Sequence, residues 1–139
     1  MNRLFLDTNL VIDADISSRD GHEAINKVLI LASSHSMELL SSWHTLSILE
    51  YVGKKPLKGE IENVLKRAVD MFTIPSTGTL EAQQAFVYNS GDFEDAMQIS
   101  SAVKGQADCI LTNDKQGGFE RSPIPVLKPE EFLKRFSGV

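Results

Sequence analysis

The chain has 139 residues, of which 42% are hydrophobic and 24% are charged, and its formal net charge is −5 at pH 7. This length and composition are typical of one globular domain, so we expect a single domain over residues 1–139 and exclude disordered and fibrous classes. Cys109 is the only cysteine and there are three histidines, which argues against a disulfide framework and a cysteine-based zinc site. A metal site would need oxygen ligands, and a nucleic-acid site would need local cations.

The N-terminal segment and the distribution of apolar residues predict a cytoplasmic protein with no membrane partner. No apolar run approaches the roughly 20 residues that span a bilayer. Asp7 interrupts the first apolar segment before the core of a signal peptide could form.

Strand-like and helix-like segments alternate along the chain. Short apolar stretches predict strands at residues 4–6, 37–40, 71–74, 109–112 and 125–127. Helical periodicity and capping signals predict helices at residues 21–36, 43–52, 59–70, 79–89, 93–104 and 130–136, with loops at 53–58 and 113–122. Short, almost uniformly apolar strands suit a parallel sheet that is covered on both faces. The pattern therefore predicts an α/β fold, a three-layer α/β/α sandwich with a short central parallel sheet of four to five strands.

Polar triplets follow two of the predicted strands. The first triplet is Asp7, Thr8 and Asn9, and the second, after the strand that begins at Cys109, is Thr112, Asn113 and Asp114. Sites in parallel α/β sheets form beyond the carboxyl ends of the strands, where both triplets are expected to lie. The alternative is that the two aspartates only cap the helices or turns that follow them.

Glu50 is an acid within an otherwise apolar helix. The surrounding residues show the pattern of a buried helix, in which a carboxylate without a partner is costly. At 100° per residue Glu50 shares one side of the helix with Ser47 and Lys54. It therefore either pairs with Lys54, four residues later, or belongs to a site at the edge of the sheet.

A run of acids opens the helix at residues 93–104. Asp92 is a candidate N-cap, and Asp95, three residues later, is a candidate capping-box partner. Asp95 also shares a stripe with Ile99 and Ala102, so it begins the inward face of the helix. Either aspartate could supply an acid to a site, and the inward position favours Asp95.

These acids are all expected at one edge of one sheet. Clustered carboxylates repel one another unless a cation joins them. Carboxylate, amide and hydroxyl oxygens suit Mg²⁺ or Mn²⁺. Such ions activate water and neutralise charge during phosphodiester hydrolysis, so the pattern indicates that reaction.

The chain resembles the PIN-domain family of metal-dependent ribonucleases, which includes the toxins of VapBC-type toxin–antitoxin pairs. The resemblance spans nearly the whole chain and rests on four segments, at residues 6–9 (LDTN), 47–51 (SILEY), 92–96 (DFEDA) and 111–114 (LTND). It implies that the catalytic, metal-binding acids are Asp7, Glu50, Asp95 and Asp114, with Asp92 as an alternative third acid. It also implies that Thr8, Asn9, Thr112 and Asn113 support them.

This resemblance implies a Mg²⁺/Mn²⁺-dependent endoribonuclease that hydrolyses RNA by a metal-activated water and acts as the toxin of a toxin–antitoxin pair. The expected partners are RNA, a cognate antitoxin and a second copy of the chain in a homodimer. We expect self-association through the apolar residues of the early helices, at 25–31 and 48–52. Lys54 and Lys115 are candidates for RNA contact, Lys115 because it directly follows Asp114.

Two alternatives stay open. One is a PIN-fold interaction module with little or no nuclease activity, which the negative net charge favours. The other is a phosphatase with Asp7 as nucleophile, although that class expects a second aspartate where this chain has Asn9.

Overall fold

Four parallel strands form the centre of the protein. The computed structural model describes residues 2–115 and 117–137. The elements are β1 (Arg3–Leu6), α1 (Thr8–Asp15), α2 (His22–Ser34), β2 (Glu38–Leu40), α3 (Trp43–Gly53), α4 (Ile61–Met71), α5 (Thr79–Tyr88), α6 (Phe93–Lys104), β3 (Cys109–Leu111), β4 (Val126–Leu127) and α7 (Pro129–Ser137). The strand order is β2-β1-β3-β4, and each neighbouring pair is parallel.

The sheet is covered on both faces, which confirms the predicted three-layer sandwich. Successive side chains of a strand point to opposite faces. Leu4 and Leu6 of β1 therefore join one buried cluster, with side chains from α1, α2, α3, α4 and α7. Phe5 joins the other cluster, with Ile99 of α6 and Ile110 of β3. Residues 4–6 of β1 and all of β3 are apolar and buried, because neither face of the sheet meets water there.

Two predicted elements differ from the structure. Residues 71–74 are not a strand, because α4 continues through Met71 and only Thr73 pairs, in a single bridge to Leu40. Pro75 follows directly and has no N–H with which to extend a ladder. Helix α1 was not predicted, because its buried positions include four consecutive residues, 10–13, and show no helical spacing. The predicted loop at 113–122 includes Gln116, which lies outside the described residues.

The prediction that α3 is buried all round is wrong. Leu49 is fully buried, but the side chain of Trp43 is 72% exposed and that of Tyr51 is 83% exposed. The helix therefore packs on the core with one side only. The apolar residues of α3 therefore include exposed aromatic side chains as well as side chains that lie in the core.

The apolar segments expected to mediate self-association lie largely in the core. Ile25 and Val28 of α2 are fully buried, and Ile48 and Val52 of α3 pack against the same cluster. Ile30 and Tyr51 within these segments are exposed, at 72% and 83%. Further exposed apolar side chains lie on α5, where Leu80, Phe86 and Val87 are each more than 60% exposed. None of the described helices has the length and apolar character that crossing a bilayer requires.

The strand order reverses between β1 and β3. The chain passes from β1 to its neighbour β2 on one side and later returns to β3 on the other side. The backbone N–H of Asp7 donates to the carbonyl of Leu111 at 3.0 Å, so the carboxyl ends of these two strands lie side by side. This is the switch point at which α/β sheets form their binding sites.

Candidate metal centre

Asp7 lies at the switch point and caps the N-terminus of α1. Its carboxylate accepts hydrogen bonds from the backbone N–H of Thr8 at 2.9 Å, Nε2 of Gln98 at 3.1 Å and Oγ1 of Thr112 at 2.8 Å. The residue is 4% exposed. Burial raises the pKa of Asp7 above its usual value; the three hydrogen bonds lower that pKa, and the charge of Glu94 raises it further.

Asp95 lies in the first turn of α6 and is buried. Asp92 caps this helix by accepting a hydrogen bond from the Asp95 backbone N–H at 3.2 Å. The Asp95 carboxylate does not turn back to complete a capping box; it accepts a hydrogen bond from the backbone N–H of Gly118 at 3.0 Å. A Cβ at Gly118 would lie 2.5 Å from Oδ2 of Asp95, so this close approach requires glycine.

The pKa of Asp95 is raised from 3.8 to about 7. Burial is the largest cause, and the charges of Asp7 and Asp92 follow. The Gly118 hydrogen bond opposes these effects, and Glu94 adds a further small increase. Asp95 is therefore close to half-protonated near neutral pH when no cation balances the charges around it.

Three carboxylates come together at this point. One oxygen from each of Asp7, Glu94 and Asp95 lies within 4.8 Å of the other two. Glu94 is on the solvent side of the cluster, with a side chain 44% exposed and its Oε2 3.4 Å from Nε2 of His44. Within residues 2–115 and 117–137, these three acids are the group of acids, histidines or cysteines whose side chains lie close enough together to hold a metal ion.

The chemistry of these residues fits a divalent cation with a preference for oxygen. Three confined carboxylates repel one another, and a cation among them would remove that repulsion. The donor set contains only hard oxygen atoms, which suits Mg²⁺ or Mn²⁺. Gln98, which contacts Asp7, also has a buried Oε1 without a hydrogen-bond partner. That oxygen remains available to a cation or to a water molecule bound to it.

A buried polar network supports Asp7 from α3 and α6. Nε2 of Gln98 also donates to Oγ1 of Thr8 at 2.8 Å, and Oγ1 of Thr8 lies 2.8 Å from Oγ1 of Thr45. Ser42, at the start of α3, lies 2.8 Å from the same Thr45 hydroxyl. These contacts hold Asp7 in one position, because each side chain in the network also constrains its neighbour.

Sequence reasoning did not identify several residues of this centre, namely Glu94, Gln98, His44, Thr45 and Gly118. A signal existed for Gln98, because it lies three residues after Asp95 on the inward stripe of α6, where a polar side chain is unexpected. A signal for Glu94 was weaker, since a glutamate in the first turn of a helix is ordinary.

Glu50 lies outside the cluster. It is exposed, and at 100° per residue it projects about 140° around α3 from Thr45, the residue of that helix that reaches the buried network. Among the described residues no ion pair joins it to Lys54. Among the described residues, Glu50 therefore neither forms an ion pair with Lys54 nor belongs to the group of carboxylates that contains Asp7.

Asp114 borders the cluster without entering it. It is exposed, and its backbone N–H donates to Oγ1 of Thr112 at 3.1 Å. Its carboxylate packs against Gly117, next to Gly118, which binds Asp95. Asp92, the cap of α6, is also exposed and outside the group of three. Both acids therefore flank the site.

Of the expected supporting residues, Thr8 and Thr112 contact Asp7 directly, as described above, whereas the two asparagines do not. Asn113 donates from Nδ2 to Oδ2 of the buried Asp13 at 3.1 Å, which ties the loop after β3 to α1. Asn9 is exposed. Of the two lysines, Lys115 lies 3.1 Å from a carboxylate oxygen of Glu131, whereas Lys54 is exposed.

The parallel sheet and the group of acids at its switch point define an α/β domain with a candidate site for a divalent cation. Residues 3–116 match the family model described as PIN domain. The chain therefore belongs to the PIN-domain family, as the sequence resemblance predicted. The similar curated relatives include Ribonuclease VapC1 of Aquifex aeolicus (strain VF5), which is 28% identical over 140 residues that cover 97% of this chain and 96% of the relative.

Solved structures of similar fold include toxin–antitoxin proteins. VapBC2 from Rickettsia felis, bound to a DNA fragment from its promoter, has a TM-score of 0.65 at 19% identity and covers 91% of this chain and 98% of its own. FitAcB from Neisseria gonorrhoeae has a TM-score of 0.61 at 18% identity, with the same coverage. VapC20 from Mycobacterium tuberculosis, described as a sarcin–ricin loop cleaving toxin, has a TM-score of 0.64 at 15% identity and covers 85% and 97%. The TM-scores show a shared fold, and at these low identities the comparison shows the fold alone.

Proposed function

We propose that this protein is a Mg²⁺/Mn²⁺-dependent endoribonuclease and the toxin component of a toxin–antitoxin pair. The observation that carries the proposal is the group of three carboxylates within 4.8 Å at the switch point. Membership of the PIN-domain family and the similarity to a ribonuclease of the VapC type support RNA as the substrate.

A divalent cation in this site would activate a water molecule and neutralise charge on the phosphate undergoing in-line displacement. Other residues of the chain hold in place the carboxylates that would bind this cation. Thr112, Gln98 and the Thr8 backbone hold Asp7 in a fixed orientation. Gly118 holds Asp95, whose raised pKa means that it releases its proton as a cation binds. Glu94 is the carboxylate that solvent and substrate can reach.

We propose Asp7, Glu94 and Asp95 as the metal-binding and catalytic carboxylates, with Asp92 and Asp114 flanking them close enough to contact a hydrated ion or the substrate. Thr8 and Thr112 support Asp7 by hydrogen bonds. Glu50, which the resemblance includes, remains a separate candidate that mutation must test. Supporting roles for Asn9 and Asn113 also remain proposals.

The partners follow from the same proposal. VapBC2 is a toxin–antitoxin complex, and this similarity supports a cognate antitoxin for this chain. We propose a homodimer as well, and the exposed Phe86 and Val87 of α5 offer apolar surface for association. The site of action would be the cytoplasm, where RNA and an antitoxin are both present. Co-purification with the product of the adjacent reading frame, and sedimentation at several concentrations, test these partners.

Cleavage assays test the function. Purified protein should cleave single-stranded or loop RNA in Mn²⁺ or Mg²⁺ and should stop in EDTA. Asp7→Asn should lower the rate by orders of magnitude, since it removes a charge that positions the cation. Undiminished cleavage in EDTA would contradict the metal mechanism. Metal binding without cleavage of any RNA would indicate an interaction module, and a covalent aspartyl-phosphate would indicate a phosphatase.

A further inference from the structure

A groove runs along the N-terminal end of α3, between that helix, the start of α5 with the segment before it, and α6. Its lining includes Trp43, His44, Thr77, Gly78, Met97 and Ser101. A second depression continues it and is lined by Trp43 and Thr77 together with residues 74–76. Trp43 thus stands between two connected parts of one surface channel.

The groove adjoins the carboxylate cluster. His44 lines the groove, and its Nε2 lies 3.4 Å from Oε2 of Glu94, one of the three clustered acids. Trp43, the residue before His44, lines the same groove. A molecule held by its phosphate at the cluster would therefore extend past His44 to the indole of Trp43.

The indole is not needed for the packing of α3. Thr45 and Leu49 are the residues that this helix buries, whereas Trp43 is 72% exposed. Tryptophan is highly buried on average, because its large apolar surface is costly in water. An exposed tryptophan in a groove beside a catalytic centre is an open aromatic face for a ligand.

The surroundings favour a nucleobase as that ligand. The lining combines the hydroxyls of Thr77 and Ser101 with the apolar side chain of Met97, and its described residues include no lysine or arginine. The one acid among the described lining residues, Glu81, accepts a hydrogen bond of 2.8 Å from the backbone N–H of Gly78. Affinity here must come from stacking and hydrogen bonds, while the phosphate is held at the cluster. Unpaired RNA bases are recognised in that way, by stacking on aromatic side chains and by hydrogen bonds to their edges.

We propose that this groove is a base-binding subsite for single-stranded RNA, in which the indole of Trp43 stacks on an unpaired base close to the scissile phosphate. The inference rests on the proposed ribonuclease function and specifies its substrate as unpaired RNA. Duplex RNA cannot stack on the indole without first unpairing, so the subsite selects single strands and loops.

Trp43 is the only tryptophan of the chain, so its fluorescence reports on the subsite directly. The Asp7→Asn protein, which should not cleave, is titrated in Mn²⁺ with a mixed-sequence single-stranded RNA 12-mer and with a blunt duplex of the same sequence. We expect saturable quenching by the single strand and little quenching by the duplex. Equal quenching by both, or no change with a strand that binds by an independent assay, would overturn the stacking proposal.

Steady-state kinetics on protein with an intact site give a second readout. Trp43→Ala should raise KM about 5- to 100-fold with a smaller change in kcat, because a base–aromatic stack contributes to binding in the ground state and the transition state alike. Trp43→Phe should restore most of the affinity. The matched control is Tyr51→Ala, since Tyr51 is 83% exposed on the same helix but about 12 Å further along its axis. Unchanged melting temperatures verify folding.

Failure of the base-binding proposal can be distinguished from failure of the ribonuclease proposal. If wild-type protein cleaves RNA and Trp43→Ala keeps the wild-type KM, the subsite is wrong and the ribonuclease stands. If no RNA is cleaved but single strands still quench Trp43, the ribonuclease proposal fails and the binding site stands. If Trp43→Ala leaves RNA kinetics unchanged but weakens a complex with a co-purified protein, the indole is a protein contact and the proposal is overturned.

Discussion

The hydroxyl of Thr112 donates a hydrogen bond of 2.8 Å to Oδ2 of Asp7, and so joins the end of β3 to the end of β1. Thr112 is fully buried and Asp7 is 4% exposed. Because the acceptor is a carboxylate that burial has removed from water, the hydrogen bond replaces solvation that the group has lost. It fixes the orientation of one metal-binding acid and stabilises the contact between the two strands.

Thr112→Val should lower the free energy of unfolding by about 1.5–3 kcal/mol at neutral pH, the cost of removing a hydrogen bond to a charged buried group. The loss should shrink at low pH, where Asp7 is protonated and the acceptor is no longer charged. Urea unfolding at pH 5 and pH 8 measures both values. Thr112→Ser keeps the hydroxyl and serves as the control. A Thr112→Val variant as stable as the wild type would contradict this prediction, because that change keeps a methyl group and removes only the hydroxyl that donates to Asp7.

The metal-free protein should lose stability as pH rises toward neutrality. The pKa of Asp95 is raised from 3.8 to about 7, so between these values the folded state holds a proton that the unfolded state has released. The free energy of unfolding therefore falls over this range, by at most about 4 kcal/mol at 1.36 kcal/mol per pKa unit. The raised pKa of Asp7 acts in the same direction. Asp95→Asn should flatten this dependence, as measured by unfolding in EDTA from pH 4 to pH 8.

Addition of Mn²⁺ should raise the melting temperature of the wild-type protein, and more at pH 8 than at pH 5, because cation and protons compete for the same carboxylates. A ligand at 100 times its Kd adds about 2.7 kcal/mol to the stability of the native state. Asp95→Asn should abolish most of this shift, although its side-chain oxygen can still accept the Gly118 hydrogen bond. A full metal response in that variant would remove Asp95 from the site.

Glu94→Gln and Glu50→Gln should have unequal effects on RNA cleavage. Glu94 lies within the carboxylate group, so loss of its charge should reduce kcat by about 100-fold or more. Glu50 is exposed and lies on another side of α3, so its change should cost less than about 5-fold. Initial rates of RNA cleavage at saturating Mn²⁺ measure the loss in each variant. A larger loss for Glu50→Gln would reinstate the acid that the family resemblance implies.

Lys54→Ala should weaken RNA binding more than Lys115→Ala. Lys115 is already paired with Glu131, whereas Lys54 is exposed with no ion pair among the described residues. Removal of one phosphate contact should reduce the slope of log affinity against log salt by about 0.7 for single-stranded RNA. Binding of the Asp7→Asn background to one oligonucleotide between about 50 and 200 mM salt provides the measurement. A slope for Lys54→Ala equal to that of the Asp7→Asn background alone would exclude Lys54 as a phosphate contact.

Local patterns in the sequence determined the layered fold and most element positions. Helix α6 begins and ends at the predicted residues, Phe93–Lys104, because Asp92 is a strong cap and Gly105 follows the last turn. The apolar stretches that became β1 and β3 were equally clear, since a strand buried on both faces has no polar position. Asp7 and Asp95 were predicted as site residues because Asp7 directly follows a predicted strand and Asp95 begins the inward stripe of a helix.

The membership of the carboxylate group was decided only by the tertiary structure. Glu94 and Glu50 both lie on helices beside the sheet, and the local pattern drew attention to Glu50 rather than to Glu94. Which of them reaches Asp7 depends on how α3 and α6 rotate about their axes when they pack. The buried Thr45 and Gln98 set that rotation, through hydrogen bonds to Thr8 between segments far apart in the chain. Periodicity defines the faces of one helix, but the face that meets a distant aspartate is chosen by packing and long-range hydrogen bonds.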